Sequence, residues 1–212
     1  MNELIIYGDI GPDYWGDGIT DTWVKEQLNG MSGDITVRIN SVGGDVFHGH
    51  TIHNLLKEYP SNVTVKVDGL AASAASVIAM AGNKVHLADN AMLMIHNPWT
   101  FALGDSQEML KVSARLDKVK DAIVTTYANR TGIEEAEISE LMDAETWLTA
   151  KESIEKGFAD EQTEEESKVL NMSKPWVKNA PDIEKPREHI HEHPEQVTPF
   201  KIAAKSRLLD IC

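Results

Sequence analysis

Two hydrophobic periods alternate along about the first three quarters of the chain. LIIYGDI (Leu4–Ile10) is a short apolar run closed by glycine and aspartate, as in a buried strand. DITVRIN (Asp34–Asn40) and NVTVKVDG (Asn62–Gly69) alternate apolar with polar residues, are rich in β-branched side chains, and predict two further strands. Between them the period lengthens. Ile19–Asn29 and Val46–Tyr59 carry apolar residues at helical spacing, with Thr20 or Asp21 as the cap of the first helix. SVGGD (Ser41–Asp45) reads as a turn between strand and helix. The alanine-rich segment after Gly69 reads as a sharp turn followed, within a few residues, by a close-packed helix that runs to Gly82. Lys84–Pro98 predicts two short strands around an Asp-Asn turn. Asp105–Arg130 predicts a long helix, with Leu116, Val119, Ile123 and Tyr127 on its apolar side. Ile133–Met142 and Thr149–Lys156 predict two short helices, the latter closed by Gly157. No internal repeat is visible.

Strands alternating with helices predict an α/β fold with parallel pairing through right-handed crossovers. The turns after Asn40 and Gly69 then fall at the carboxyl edge of the sheet, the usual place for a site in such folds. The expected body is residues 1–162. From Thr163 the prolines crowd together and apolar residues thin out, so 163–212 reads as an extended tail. PFKIAAKSRLLDI (Pro199–Ile211) is expected to form a short amphipathic helix at its end.

Composition narrows the partners. A length of 212 residues, 42% hydrophobic content and a mean hydropathy of −0.31 fit a soluble globular protein. A net charge of −14 argues against nucleic acid or an anionic membrane as the partner. The single cysteine is Cys212, so no internal disulfide can form and a reducing compartment is expected. Gly8 and Asp9 interrupt the first apolar run, which therefore does not read as a signal peptide. Gly69–Gly82 is too short to span a bilayer. These features point to the cytoplasm.

Four stretches could carry chemistry. In GLAASAASVIAMAG (Gly69–Gly82), Ser73 lies near the start of a helix, where a negative charge is favoured and small neighbours let a substrate approach. Seen alone, the commoner reading is a helix cap among close-packed alanines. Ser76 lies deeper, and its hydroxyl is expected to bond back to the helix. Ser76→Ala is therefore expected to keep activity. The paired glycines of SVGGD can turn a backbone N–H outward, or simply make a turn. MLMIHNP places His96 at the end of an apolar strand, where a lone histidine is more often structural. In DAETWLTAKESIEKGFAD (Asp143–Asp160), a carboxylate could orient a histidine or act as a cap. His189, His191 and His193 look like a metal tract, but the tail lacks a cage and a solvated reading is preferred.

The order and spacing of NSVGGDV, GLAASAAS, MIHNP and ETWLTAKESIEKGFAD resemble the Clp-type proteolytic subunit, a family of intracellular serine peptidases. The likeness spans roughly Leu4–Glu161. It implies a Clp protease/crotonase-like fold of repeated β-β-α units with a protruding handle helix, here Asp105–Arg130. It implies Ser73 as nucleophile and His96 as general base. Glu145 falls where the family usually has its triad aspartate, with Asp143 as the nearby rival. The N–H groups of Gly43 and Ala74 match the oxyanion hole, and Gly44, Asp45 and Val46 match the backbone that pairs with substrate as an added strand. The resemblance further implies polypeptide substrates, a homo-oligomeric ring, and no metal or other cofactor.

Departures from the family pattern shape the expected biology. The first strand begins at Leu4, where the family usually has a longer stretch that contacts an ATP-driven unfoldase, so docking in that manner is not expected. A short front and long tail are similar to phage and prophage variants, some of which process capsid or scaffold proteins. Two other readings stay open at this point: an acyl-transfer enzyme of the crotonase fold, and a non-catalytic ring scaffold. A membrane-anchored serine–lysine peptidase of related fold is disfavoured, since no lysine takes the base position.

Overall fold

A computed structural model describes residues 2–12 and 18–163, all of which fall in one compact unit, Met1–Lys168. The expected Pro-rich tail, its histidine tract, its terminal helix and Cys212 lie outside the described residues.

The elements run β1 (Asn2–Ile10), α1 (Asp21–Asn29), β2 (Ile35–Gly44), α2 (Val46–Lys57), β3 (Val63–Ala72), α3 (Ala74–Ala79), β4 (Lys84–Ala88), β5 (Met92–Ile95), α4 (Ser106–Thr131), α5 (Glu135–Asp143), β6 (Thr146–Thr149), α6 (Ala150–Glu155) and β7 (Glu161–Thr163). One seven-stranded sheet has the order β1-β2-β3-β4-β7, all parallel. β3 forks. Its first half pairs with β4 through Thr64–Val67, and its last residues, Leu70–Ala72, pair with β5. β6 joins β5 antiparallel, with Ile95 opposite Thr146. The α/β architecture read from the strand–helix alternation is thus the one observed.

Alternation on the central strands decides which face is core. Val37, Ile39, Val65 and Val67 are buried, while Arg38, Lys66 and Asp68 lie on the opposite, partly exposed face. The apolar face packs with Leu4, Ile6, Ile52 and Ile78 into one continuous core. Helix ends are set by local chemistry. Thr20, not Asp21, caps α1 through Trp23 N–H. Asp45 caps α2, Asp105 caps α4, and Thr149 with Glu152 forms a capping box on α6. Gly132, at φ 75°, ends α4 in the left-handed conformation and donates to Ala128 O. No described helix is long and apolar enough to cross a membrane.

Two expectations change. Ser41–Gly44 is not a turn: it continues β2, because Asp9 and Ile10 of β1 pair with Gly43 and Gly44 across a bulge. The third strand runs past its expected end at Gly69 through Leu70–Ala72, since pairing with β5 overrides the helical preference of alanine, and only Ala74–Ala79 is helical. β6 and β7 are additions.

Candidate active site

Ser73 stands at the joint between β3 and α3 with φ 54° and ψ −124°, a backbone region that side-chain-bearing residues rarely occupy. Its side chain makes no capping bond to α3. The hydroxyl instead lies 2.8 Å from His96 Nε2. Ser73 N–H donates to Met94 O at 3.0 Å, so the turn is tied to β5, the strand that delivers His96. The cap reading of Ser73 is thereby set aside.

The end of β2 lies against this joint. A Cβ on Gly43, at φ 95°, would stand 2.7 Å from both Ala72 O and Ser73 Cβ. One on Gly44 would stand 2.1 Å from Ile10 O. Both positions therefore require glycine for space as well as for conformation. Gly43 N–H donates to Ser41 Oγ at 3.0 Å, so this donor is engaged rather than open. Ala74 is the first residue of α3, and its N–H has no acceptor within the helix. Gly44, Asp45 and Val46 all line the cleft beside Ser73. Asp45, however, spends its N–H on Ile10 O and its carboxylate on Phe47 and His48 N–H, and Val46 opens α2. Of the three, only Gly44 has strand geometry with which to pair a substrate.

Two carboxylates compete for the back of the imidazole. The β5–β6 pairing brings Glu145, just before β6, beside His96. Glu145 Oε2 is 4.0 Å from His96 Nδ1, beyond hydrogen-bonding distance, and Trp147 Nε1 donates to the other oxygen at 3.3 Å. Asp143 faces elsewhere. Its Oδ1 accepts from Lys120 Nζ at 2.5 Å and from Asn97 Nδ2 at 2.7 Å. The Lys120 ammonium, with Asn97, holds the Asp143 carboxyl below the usual carboxylate range.

Ser73 and His96 open onto a cleft of about 890 Å³. Val77, Leu116, Val119 and Ile123 give it an apolar wall, and Arg115 on α4 adds a positive charge that makes no ion pair among the described residues. Residues passed over in the sequence reading are Asn97 and Lys120, which engage Asp143, and Tyr127, which reaches Ser76 Oγ at 2.8 Å. The helical periodicity marked Tyr127 as apolar but carried no sign of a hydroxyl partner 51 residues away.

A parallel α/β sheet that presents a hydroxyl–imidazole pair at its carboxyl edge has the build of a serine-type hydrolase. Comparison with known proteins makes this specific. The family model described as Clp protease matches residues 15–166. The ATP-dependent Clp protease proteolytic subunit of Bacteroides fragilis is 32% identical over 163 residues, covering 76% of this chain and 79% of that protein. The ATP-dependent Clp protease proteolytic subunit 2 of Treponema denticola is 29% identical over 158 residues, covering 74% and 78%. A solved structure of a point mutant of ClpP1 from Listeria monocytogenes superposes with a TM-score of 0.68 at 28% identity, covering 78% of this chain and 92% of that one. The chain belongs to the Clp protease family, and is a hydrolase of the serine-peptidase type.

Proposed function

We propose that this chain hydrolyses peptide bonds within polypeptides through Ser73, His96 and Glu145, as a subunit of a homo-oligomeric ring. The observation that carries the reading is the 2.8 Å approach of His96 Nε2 to Ser73 Oγ. In the first half-reaction Ser73 Oγ attacks the scissile carbonyl while its proton passes to His96 Nε2. The C–O bond forms, and the carbonyl π electrons move to oxygen. Ala74 N–H stabilises that oxyanion, joined by Gly43 N–H once it leaves Ser41 Oγ. Collapse breaks the C–N bond, and His96 returns the proton to the leaving amine. Water then repeats the sequence on the acyl-enzyme and restores the serine. Glu145 is the third member because its carboxylate lies nearest Nδ1, whereas Asp143 is engaged by Lys120 and Asn97. The apolar wall of the cleft favours apolar substrate side chains.

Ring assembly is supported by the sheet. Parallel sheets are normally covered on both faces, yet Ile5 and Tyr7 of β1 are 48% and 44% exposed on the face opposite the core. A second copy seated there would complete the cover, and sedimentation of the full chain tests it.

A fluorophosphonate serine probe tests the catalytic reading. Labelling is expected in the unaltered protein and absent from Ser73→Ala. An assembled, folded protein that takes up no label would identify a non-catalytic scaffold instead. Mass spectrometry of co-expressed neighbouring proteins, with and without Ser73→Ala, then identifies which polypeptides are cut, phage structural proteins among the candidates.

A further inference from the structure

Ser76 and Tyr127 take no part in the bond-making steps above, yet their side chains form a closed polar network around the nucleophile. Ser76 is 0% exposed and Tyr127 1%. Ser76 Oγ lies 2.6 Å from Ser73 O, 3.0 Å from Met94 O and 2.8 Å from Tyr127 Oη. Carbonyl oxygens only accept, and a serine hydroxyl has one hydrogen to give. Ser76 therefore donates toward the carbonyls, the nearer being that of Ser73. Tyr127, whose hydroxyl bonds to Ser76 Oγ, supplies the hydrogen in that contact. Burial pushes the Tyr127 hydroxyl pKa up, which keeps it protonated as a donor.

Ser73 is thus gripped at both of its peptide groups. Its N–H is held by Met94 O, and its carbonyl accepts from the backbone N–H groups of Ser76 and Val77 and, at the shortest distance, from the Ser76 hydroxyl. Met94 precedes His96 by two residues on the same chain segment, so one network fixes the backbone of both partners in the hydroxyl–imidazole contact. The grip answers a physical need. A serine at φ 54° sits in a sparsely populated backbone region and stays there only when its surroundings hold it.

We infer that Ser76 and Tyr127 are positioning residues, which hold Ser73 in the backbone conformation that aims its hydroxyl at His96. This rests on the reading of Ser73 as nucleophile, and it reverses the expectation that Ser76→Ala keeps activity. The rival account is a buried hydroxyl pair that merely satisfies itself.

Two variants of the full chain separate these accounts. Ser76→Ala leaves the Tyr127 hydroxyl buried without its partner and is expected to lower stability. Ser76→Ala with Tyr127→Phe removes both hydroxyls, and stability is expected to recover toward that of the unaltered protein. In both variants Ser73 O keeps the backbone N–H groups of Ser76 and Val77 but loses the hydroxyl at 2.6 Å that ties it to Tyr127. The rate of Ser73 acylation by a fluorophosphonate, and kcat on a peptide substrate, are therefore expected to fall about 10- to 100-fold in both, with KM unchanged. Recovery of acylation together with stability in the double variant would overturn the positioning role. So would an unaltered acylation rate in Ser76→Ala. Absence of Ser73 labelling in the unaltered protein would instead overturn the nucleophile reading, and with it any role in positioning.

Discussion

Ser73 Oγ and His96 Nε2 meet at 2.8 Å although 23 residues separate them in the chain. Parallel pairing of Ala72 with Met94 makes the meeting possible, because it sets the ends of β3 and β5 side by side. A base at this distance takes the hydroxyl proton without rearrangement. His96→Ala is accordingly expected to lower kcat by about 10⁴-fold or more. Single-turnover acylation of Ser73 by a fluorophosphonate checks it, since slow labelling with an unchanged melting temperature isolates the loss to chemistry.

Glu145 and Asp143 offer a comparison inside one chain. Glu145 lies 4.0 Å from Nδ1 and its side chain is 59% exposed, so its field is partly screened. A buried triad carboxylate is worth about 10⁴-fold, and this one is expected to supply less, about 10- to 100-fold. Glu145→Gln should lower kcat by that factor, while Asp143→Asn, which loosens Lys120 and Asn97 instead, should lower it less. Parallel kcat measurements on one fluorogenic peptide decide the order. A larger loss in Asp143→Asn would move the third role to Asp143.

Gly43 and Gly8 have similar backbone angles, φ 95° and 102°, in different surroundings. A Cβ on Gly43 meets Ala72 O and Ser73 Cβ at 2.7 Å, whereas one on Gly8 meets nothing within 4 Å. Both substitutions to alanine carry the strain of positive φ, about 1–2 kcal/mol. Only Gly43→Ala also pushes on the backbone at Ser73. Its expected extra cost is about 1–3 kcal/mol in urea denaturation, together with a loss of peptidase activity that Gly8→Ala does not share.

The contrast between local and distant causes decides what could be read from the sequence. The spans of α2 and α4 are legible because their apolar residues recur at helical spacing, a signal contained within each segment. Ser73 and His96 were visible because glycine, small-residue and MIH stretches recur in a known order. Gly43 and Gly44 read locally as a turn because the strand partner that keeps them extended, Asp9–Ile10, lies far away in sequence. The extension of the strand through Leu70–Ala72 is hidden for the same reason, with β5 as the distant partner. The Ser76–Tyr127 contact spans 51 residues and depends on where α4 docks, so neither residue announced it. The engagement of Asp143 by Lys120, which underlies the proposed preference for Glu145, is a contact between distant residues that no local pattern signals.

Leu116 lies on the cleft wall formed by α4, half-buried and apolar. If that wall receives a substrate side chain, Leu116→Lys places a charge where an apolar group has to desolvate. Discrimination by an apolar pocket is worth about 10- to 200-fold for small changes in the substrate. The expected outcome is a fall of about tenfold in kcat/KM for a peptide with a leucine at the cleft, carried by KM, with little change for an alanine peptide. Equal losses for both peptides would mean that the wall shapes the fold rather than the specificity.

Asp160 joins three elements near the far end of α4. Its Oδ2 accepts from Val85 N–H at 2.7 Å and from Arg130 Nη2 at 2.5 Å. Burial pushes its carboxyl up, but the Val85 N–H and the Arg130 guanidinium outweigh burial, and the group is held below the usual carboxylate range. A carboxyl that is more acidic in the folded chain than in the unfolded one stabilises the fold while ionised. That contribution is complete at pH values above the unfolded pKa, about 4, and is lost as pH falls through the lower folded value. Asp160→Asn removes the charge at every pH. At pH 7 the variant is therefore expected to be less stable by about 1–2 kcal/mol. Below about pH 3 the gap should close, because the native carboxyl is then becoming neutral as well. Urea denaturation of both proteins across this range checks the sign: a gap that stays constant with pH would assign the loss to packing and not to the charge.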